Sequence, residues 1–346
     1  MKTRKIWAIS IVAILVLGVG LITALASDNE TEPSSSESYA SAYIRNITNN
    51  VAVLNPQIEK TNNSTTCTVH ISPEAHGLSK EEFEIYAAIM TERYGEGVGL
   101  LPEGYIEKIT NSVADLNPQI EKTGNSTTCT VHISPEAHGL SKEEFEIYAA
   151  IMAERYGEAA EPLLSGPDTQ NLEYIDAWAM HIDLEDGNGD IIAESDNVLK
   201  LYRFKDYVDG SGRAHYYYWH WTSAHDLVEG WWTTDLNNFW NRIDLQSGEY
   251  MLDYRPEQDI QGNGQDVTIE LSAGYGGVNF GISSTFILFQ DTVRPQPEGC
   301  YVGNGGMFTV EWIGDYEGTQ AIHGTDEIAV VPGGYTNIWT CSLSAG

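Results

Sequence analysis

The chain has 346 residues, with 18 Lys and Arg against 50 Asp and Glu, and a formal net charge of −32 at neutral pH. Such a length exceeds one ordinary hydrophobic core and predicts two or more packed regions. An acidic excess of this size repels phosphate backbones and anionic headgroups, which are held by clustered Lys and Arg, so nucleic acid is excluded as a partner.

Lys2, Arg4 and Lys5 precede an uncharged run from Ile6 to Ala26 that ends in Ala24-Leu25-Ala26. The order of charged, apolar and small residues predicts a signal peptide over residues 1–26. The run is also long enough to cross a bilayer, so an uncleaved anchor with its basic end in the cytoplasm is the alternative, and the only membrane contact expected. Either way the chain is expected to be secreted or held at the cell surface. Residues 27–42, Ser-rich and acidic, read as a disordered spacer.

Residues 43–96 recur as residues 105–158, with differences at positions 45, 46, 50, 53, 62 and 91 of the first copy. Two copies at this long a period point to duplication of one folding unit rather than a solenoid. In copy 1, Ile44, Ile47, Val51 and Leu54 fall at helical spacing and Asn55-Pro56 ends the helix. Short alternating runs at 57–61 and 65–71 then predict a hairpin. Its tip carries Asn-x-Ser/Thr glycan acceptors at Asn62 and Asn63, with Asn125 equivalent in copy 2 and Asn46 earlier in copy 1. Ser79 and Glu82 form a capping box for a second helix that Gly95 stops.

A Pro-containing linker at 159–171 leads to residues 172–346, where short alternating runs are divided by Gly, Asn and Asp turns. The expected fold class is therefore multidomain: two tandem α+β repeats (helix, hairpin, helix), then an all-β antiparallel sandwich or jelly roll. One short helix is expected within 227–240.

The four cysteines are Cys67, Cys129, Cys300 and Cys341. In an oxidising compartment they predict disulfides, and Cys67 with Cys129 and Cys300 with Cys341 is the pairing that keeps each bond within one domain. Asp186, Asn188 and Asp190 alternate as calcium ligands would, although Ile191 breaks the order of an EF-hand loop and a plain Asp/Asn/Gly turn needs no ion. Calcium is the only cofactor suggested. His70, His76, His132 and His138 invite a zinc reading, but their spacing sets no two on one helical face.

The stretch from His215 to Trp232 is dense in aromatic residues. Alternation separates Tyr217, Trp219 and Trp221 from Tyr216, Tyr218 and His220. One row fills the sandwich; the row with Tyr217, Trp219 and Trp221 is either a carbohydrate-stacking platform or a second buried face. His220, His225 and Asp226 are candidates for metal ligands or an acid/base pair, with no nucleophile motif to accompany them. These features point to a non-catalytic exported or cell-surface protein whose partner is a glycan or another surface protein. The alternatives are a secreted metal-dependent hydrolase with the repeats as accessory or pro-region, and a structural subunit of a surface layer or filament.

Overall fold

The computed structural model describes residues 57–61, 64–68, 84–85 and 87–88. From 104 to 345 it describes all but 166–171, 228–234, 262–264, 276–277, 289–291, 296–301, 317 and 332–333. In copy 1, β1 (Gln57–Thr61) and β2 (Ser64–Thr68) form a two-stranded antiparallel hairpin. Copy 2 contributes α1 (Tyr105–Thr110), β3 (Gln119–Thr123), β4 (Ser126–Ile133) and α2 (Lys142–Tyr156), and α3 (Glu161–Ser165) follows a short 3-10 turn. Ser141 and Glu144 close the capping box of α2: the Ser141 amide donates to Glu144 Oε2 at 2.9 Å, and the Glu144 amide to Ser141 Oγ at 3.2 Å.

Among the described residues, thirteen strands come next. They are β5 (Leu172–Glu185), β6 (Ile191–Val208), β7 (Ala214–Asp226), β8 (Leu236–Leu245), β9 (Glu249–Arg255), β10 (Ile260–Gln261), β11 (Gln265–Tyr275), β12 (Val278–Leu288), β13 (Thr292–Pro295), β14 (Gly303–Asn304), β15 (Met307–Tyr316), β16 (Thr319–Val330) and β17 (Asn337–Ala345). Among the described residues, β11 and β12 pair only with each other. The remaining strands build a seven-stranded sheet in the order β10-β13-β15-β8-β17-β4-β3 and a six-stranded sheet in the order β14-β9-β16-β7-β6-β5.

This architecture corrects the expectation of two tandem α+β repeats ahead of a separate sandwich. The described residues are mostly strand, and copy 2 is built into the sandwich. β4 lies along β17 from Ser126 opposite Ser344 to Ile133 opposite Asn337. The reason is physical: Thr127, Cys129, Val131 and Ile133 form a buried face along β4, and a lone hairpin cannot cover such a face. Helical and strand periodicities report a segment's own faces, not which element covers them. Of the stretch 227–240 in which a short helix is expected, Leu236 onward is strand β8, and 228–234 lie outside the described residues.

Both sheets contribute to one core. Trp178, Met180, Ile182 and Leu184 of β5, with Leu199 and Leu201 of β6, are buried in it. Phe239, Phe308, Trp312 and Trp339 come from the seven-stranded sheet, where the Phe239 and Trp312 rings stack at 5.1 Å. The sheets approach closely at Gly324, where an added Cβ would stand 2.9 Å from the Phe308 ring. Only glycine fits there without movement of an aromatic side chain.

Copy 2 also covers the opposite face of the six-stranded sheet. The Phe145 ring of α2 lies 3.9 Å from Lys200 Nζ, Tyr156 packs against Trp221, and Trp221 Nε1 donates to the Ala159 carbonyl at 3.0 Å. Gly139 and Leu140 lie against β5. The Gly139 amide donates to Asp176, the Leu140 amide donates to the Ala177 carbonyl at 2.6 Å, and a Cβ on Gly139 would meet that carbonyl oxygen at 2.0 Å.

Cys129 and Cys341 are buried free thiols directly opposite each other on β4 and β17. The expected pairing of Cys67 with Cys129 and Cys300 with Cys341 makes no provision for this juxtaposition. Cys67 lies in β2 opposite Ile58, and Cys300 lies outside the described residues. Residues 1–56, with the signal, the spacer and Asn46, lie outside them too. Among the described residues no helix is long and apolar enough to cross a membrane.

Candidate functional site

Among the described residues, a cluster of ionisable side chains joins copy 2 to the six-stranded sheet. Residues two apart on a strand share a face, and the register sets His181 of β5 opposite Asp196 of β6 and Asp183 opposite Glu194. Four polar groups thus project beside the end of α2. Asp196 is fully buried. One of its oxygens accepts from Arg155 at 2.8 Å and from the Tyr156 hydroxyl at 2.5 Å, and the other faces His181 Nδ1 at 2.9 Å. His181 Nε2 lies 3.2 Å from Asp183 Oδ1.

Burial favours the neutral form of both partners, yet their mutual interaction prevails. For Asp196, burial works to raise the pKa, but hydrogen bonding from His181 and the charges of Arg155 and His181 hold the carboxyl below its usual range. For His181, burial pulls downward, while the hydrogen bond to Asp196 and the charges of Asp196, Asp183 and Glu194 push the pKa up to about 9. A neutral-pH imidazolium is therefore the favoured state.

Ligand atoms of His181, Asp183 and Glu194 all lie within 4.8 Å of one another. Asp196 orients the ring from behind, as a carboxylate does for a metal-bound histidine, so these three residues have the donor chemistry to hold a divalent cation. A cation would have to displace the proton on Nε2. With that proton in place the same atoms form a charge network that fastens Arg155 and Tyr156 of copy 2 to the sheet.

The residues singled out in the sequence do not form one site. Tyr217, Trp219 and Trp221 are each 0% exposed, Trp221 packing against Tyr156 of copy 2, and offer no face for a sugar to stack on. His220 faces the core, its Nε2 2.6 Å from Asp326 Oδ1 and its Nδ1 2.9 Å from Asn241 Oδ1. His225, five residues along the same strand, points to the opposite face, where Nδ1 meets Thr319 Oγ1 at 2.9 Å. Asp226 accepts from the Gly318 amide at 2.6 Å. His225 lies across the sheet from His220, and Asp226 is six residues along the strand from His220, so the three do not converge.

The Asp186 carboxylate accepts from the amides of Asn188 and Asp190 at 2.8 and 3.0 Å and from the Asn188 side chain at 3.0 Å. These bonds hold its pKa below the usual range and give the hairpin turn its own use for the oxygens a calcium ion would take. His132 and His138 are exposed, while His70 and His76 lie outside the described residues. Asn125 is exposed at the tip of the β3–β4 hairpin; Asn62 and Asn63 are outside the described residues.

Two features escaped the sequence reading. The pairs His181/Asp183 and Glu194/Asp196 alternate along β5 and β6, and that spacing puts each pair on one face once both segments are known to be strand. Lys200 gave no such signal. It is 5% exposed, with Nζ 3.9, 5.3 and 5.5 Å from the ring centroids of Phe145, Tyr202 and Trp219. Burial draws its pKa down to about 7, and the ring faces partly replace the water that it loses.

No protein-family model matches the chain, and no curated protein does. Among solved structures, one described as a pore forming protein is similar at a TM-score of 0.24 and 6% sequence identity, over 66% of this chain and 91% of that one. That likeness is too slight to speak to fold or activity.

Proposed function

We propose that the chain is an exported, non-catalytic surface protein in which the duplicated unit serves as structural material. The observation that carries this reading is the use of copy 2, whose hairpin extends one sheet while its helix covers the other. A duplicated unit that completes a core is building material before it is a binding head. Burial of Tyr217, Trp219 and Trp221 favours a structural role over a sugar platform, and the acidic surface suits a hydrated exterior. Asn125, at an exposed turn, is the acceptor for a glycan.

Fractionation of native cells with external protease treatment tests the reading. The chain is expected in the outer fraction, cleavable from outside, with its purified form silent on a glycan array. Recovery from the cytosol would overturn the reading, as would glycan binding or chelator-sensitive hydrolysis by the purified protein.

A further inference from the structure

The face of the six-stranded sheet that α2 covers carries a second imidazole beside the His181 cluster. Asp183 of β5 stands opposite Glu194 of β6, and Glu194 stands opposite His225 of β7. These three make one cross-strand row, and His181 with Asp196 makes the next row on the same face. Directly opposed residues have their Cβ atoms about 4.5–5.5 Å apart. Two imidazoles and two carboxylates therefore reach one patch from three strands, a meeting that no spacing within one strand announces.

Each group has an atom to offer. Ligand atoms of His181, Asp183 and Glu194 lie within 4.8 Å of one another. Asp196, 0% exposed, meets His181 Nδ1 at 2.9 Å, so Nε2 is the ring nitrogen that faces Asp183. His225 Nδ1 is held by Thr319 Oγ1 at 2.9 Å, which leaves Nε2 as its ligand atom. Asp183, Glu194 and Asp196 set three carboxylates against the guanidinium of Arg155. With His181 neutral, two negative charges are in excess, the charge of one divalent cation. Carboxylates alone would not choose among cations, whereas an imidazole oriented from behind by a buried carboxylate does.

We propose that His181, Asp183 and Glu194 are ligands of a divalent transition metal of the zinc class, with His225 the fourth group of a tetrahedral set and Asp196 a positioning residue behind the His181 ring. Imidazole and carboxylate donors in that number suit zinc. Calcium, which takes about six to eight oxygen ligands, is poorly served by two imidazoles. Binding releases the proton on His181 Nε2 to solvent. The remaining ring proton sits on Nδ1 and is donated to Asp196, which stays the acceptor for Arg155 and Tyr156. The metal thus joins β5, β6 and β7 where the end of α2 is fastened, and clamps copy 2 to the sheet.

The test uses the full chain, freed of metal by chelator and dialysis, titrated with zinc chloride in a calorimeter and melted with and without the metal. A single tight equivalent is expected above the weak binding of the acidic surface, together with a higher melting temperature. His181→Ala and Asp183→Asn should each weaken that equivalent by about 100-fold, and Asp196→Asn by about tenfold. Cobalt chloride in place of zinc gives the bound metal a visible absorption, which should persist in Asp196→Asn and change in His225→Ala. Asp183→Asn and Glu194→Gln, at partly exposed positions, carry the test if the variant at buried Asp196 does not fold. No equivalent tighter than the surface background would overturn the proposal. So would a tight equivalent kept in both His181→Ala and Asp183→Asn, or calcium chloride bound as tightly as zinc.

Discussion

Copy 1 and copy 2 are nearly the same sequence in two settings. One hairpin forms a two-stranded sheet; the other is the end of a seven-stranded sheet whose helix lies over a second sheet. The register inside the hairpin is identical in both. Local sequence therefore determines the hairpin, whereas its place in the fold depends on finding a sheet edge to extend. A segment's conformation and its role are separate properties, specified by different parts of the chain.

The comparison breaks most severely at Asp196, which anchors α2 of copy 2. Asp196→Ala leaves Arg155 and His181 without their buried counter-charge and is expected to destabilise the sandwich by about 3–5 kcal/mol in urea unfolding. Stability unchanged by that substitution would mean copy 2 is not fastened there.

Lys200 lies beneath Phe145 of copy 2 and gives the contact a pH dependence. Its folded pKa, about 7, lies below the unfolded value near about 10.4, so between these limits the unfolded chain binds the extra proton. The penalty for burying Lys200 is full below pH 7 and is relieved as pH rises, by up to about 4 kcal/mol toward pH 10. Phe145, Tyr202 and Trp219 surround the amine, Glu146 favours its charge and Lys142 opposes it. In Lys200→Met the slope of stability against pH across this window should flatten.

Direct comparison of the copies comes from paired substitutions. Thr128→Pro removes a ladder donor from a strand flanked on both sides and should lower stability by about 3 kcal/mol, while Thr66→Pro should move the main melting transition by less than about 0.5 kcal/mol. Equal effects would show that the two hairpins contribute alike to stability. Smallest are the changes that turn copy 2 toward copy 1: about 1 kcal/mol for Ser112→Asn, through the Ala179 amide, and under about 0.5 kcal/mol for Lys108→Asn at an exposed ion pair.

Much of the local structure was legible. Ser141 and Glu144 form the capping box their spacing signals, and alternation sorted the β7 aromatics into two faces. What lies on those faces was not legible. Trp221 is covered by a unit more than sixty residues earlier in the chain, and β4 meets β17 across more than two hundred residues. No periodicity within a window carries that information. The same gap explains the cysteines: a pairing chosen to stay within expected domains could not anticipate Cys129 and Cys341 on neighbouring strands.

β17 follows every other described strand in chain order, yet it sits inside its sheet between β8 and β4. During synthesis the wall cannot close until residues 337–345 have left the ribosome, long after both versions of STTCTVHI have emerged. The copy 2 hairpin must wait with the buried face of β4 uncovered, the kind of delay that invites premature association. Closure of this sheet is therefore a late event, set by the emergence of β17 rather than by the hairpin itself.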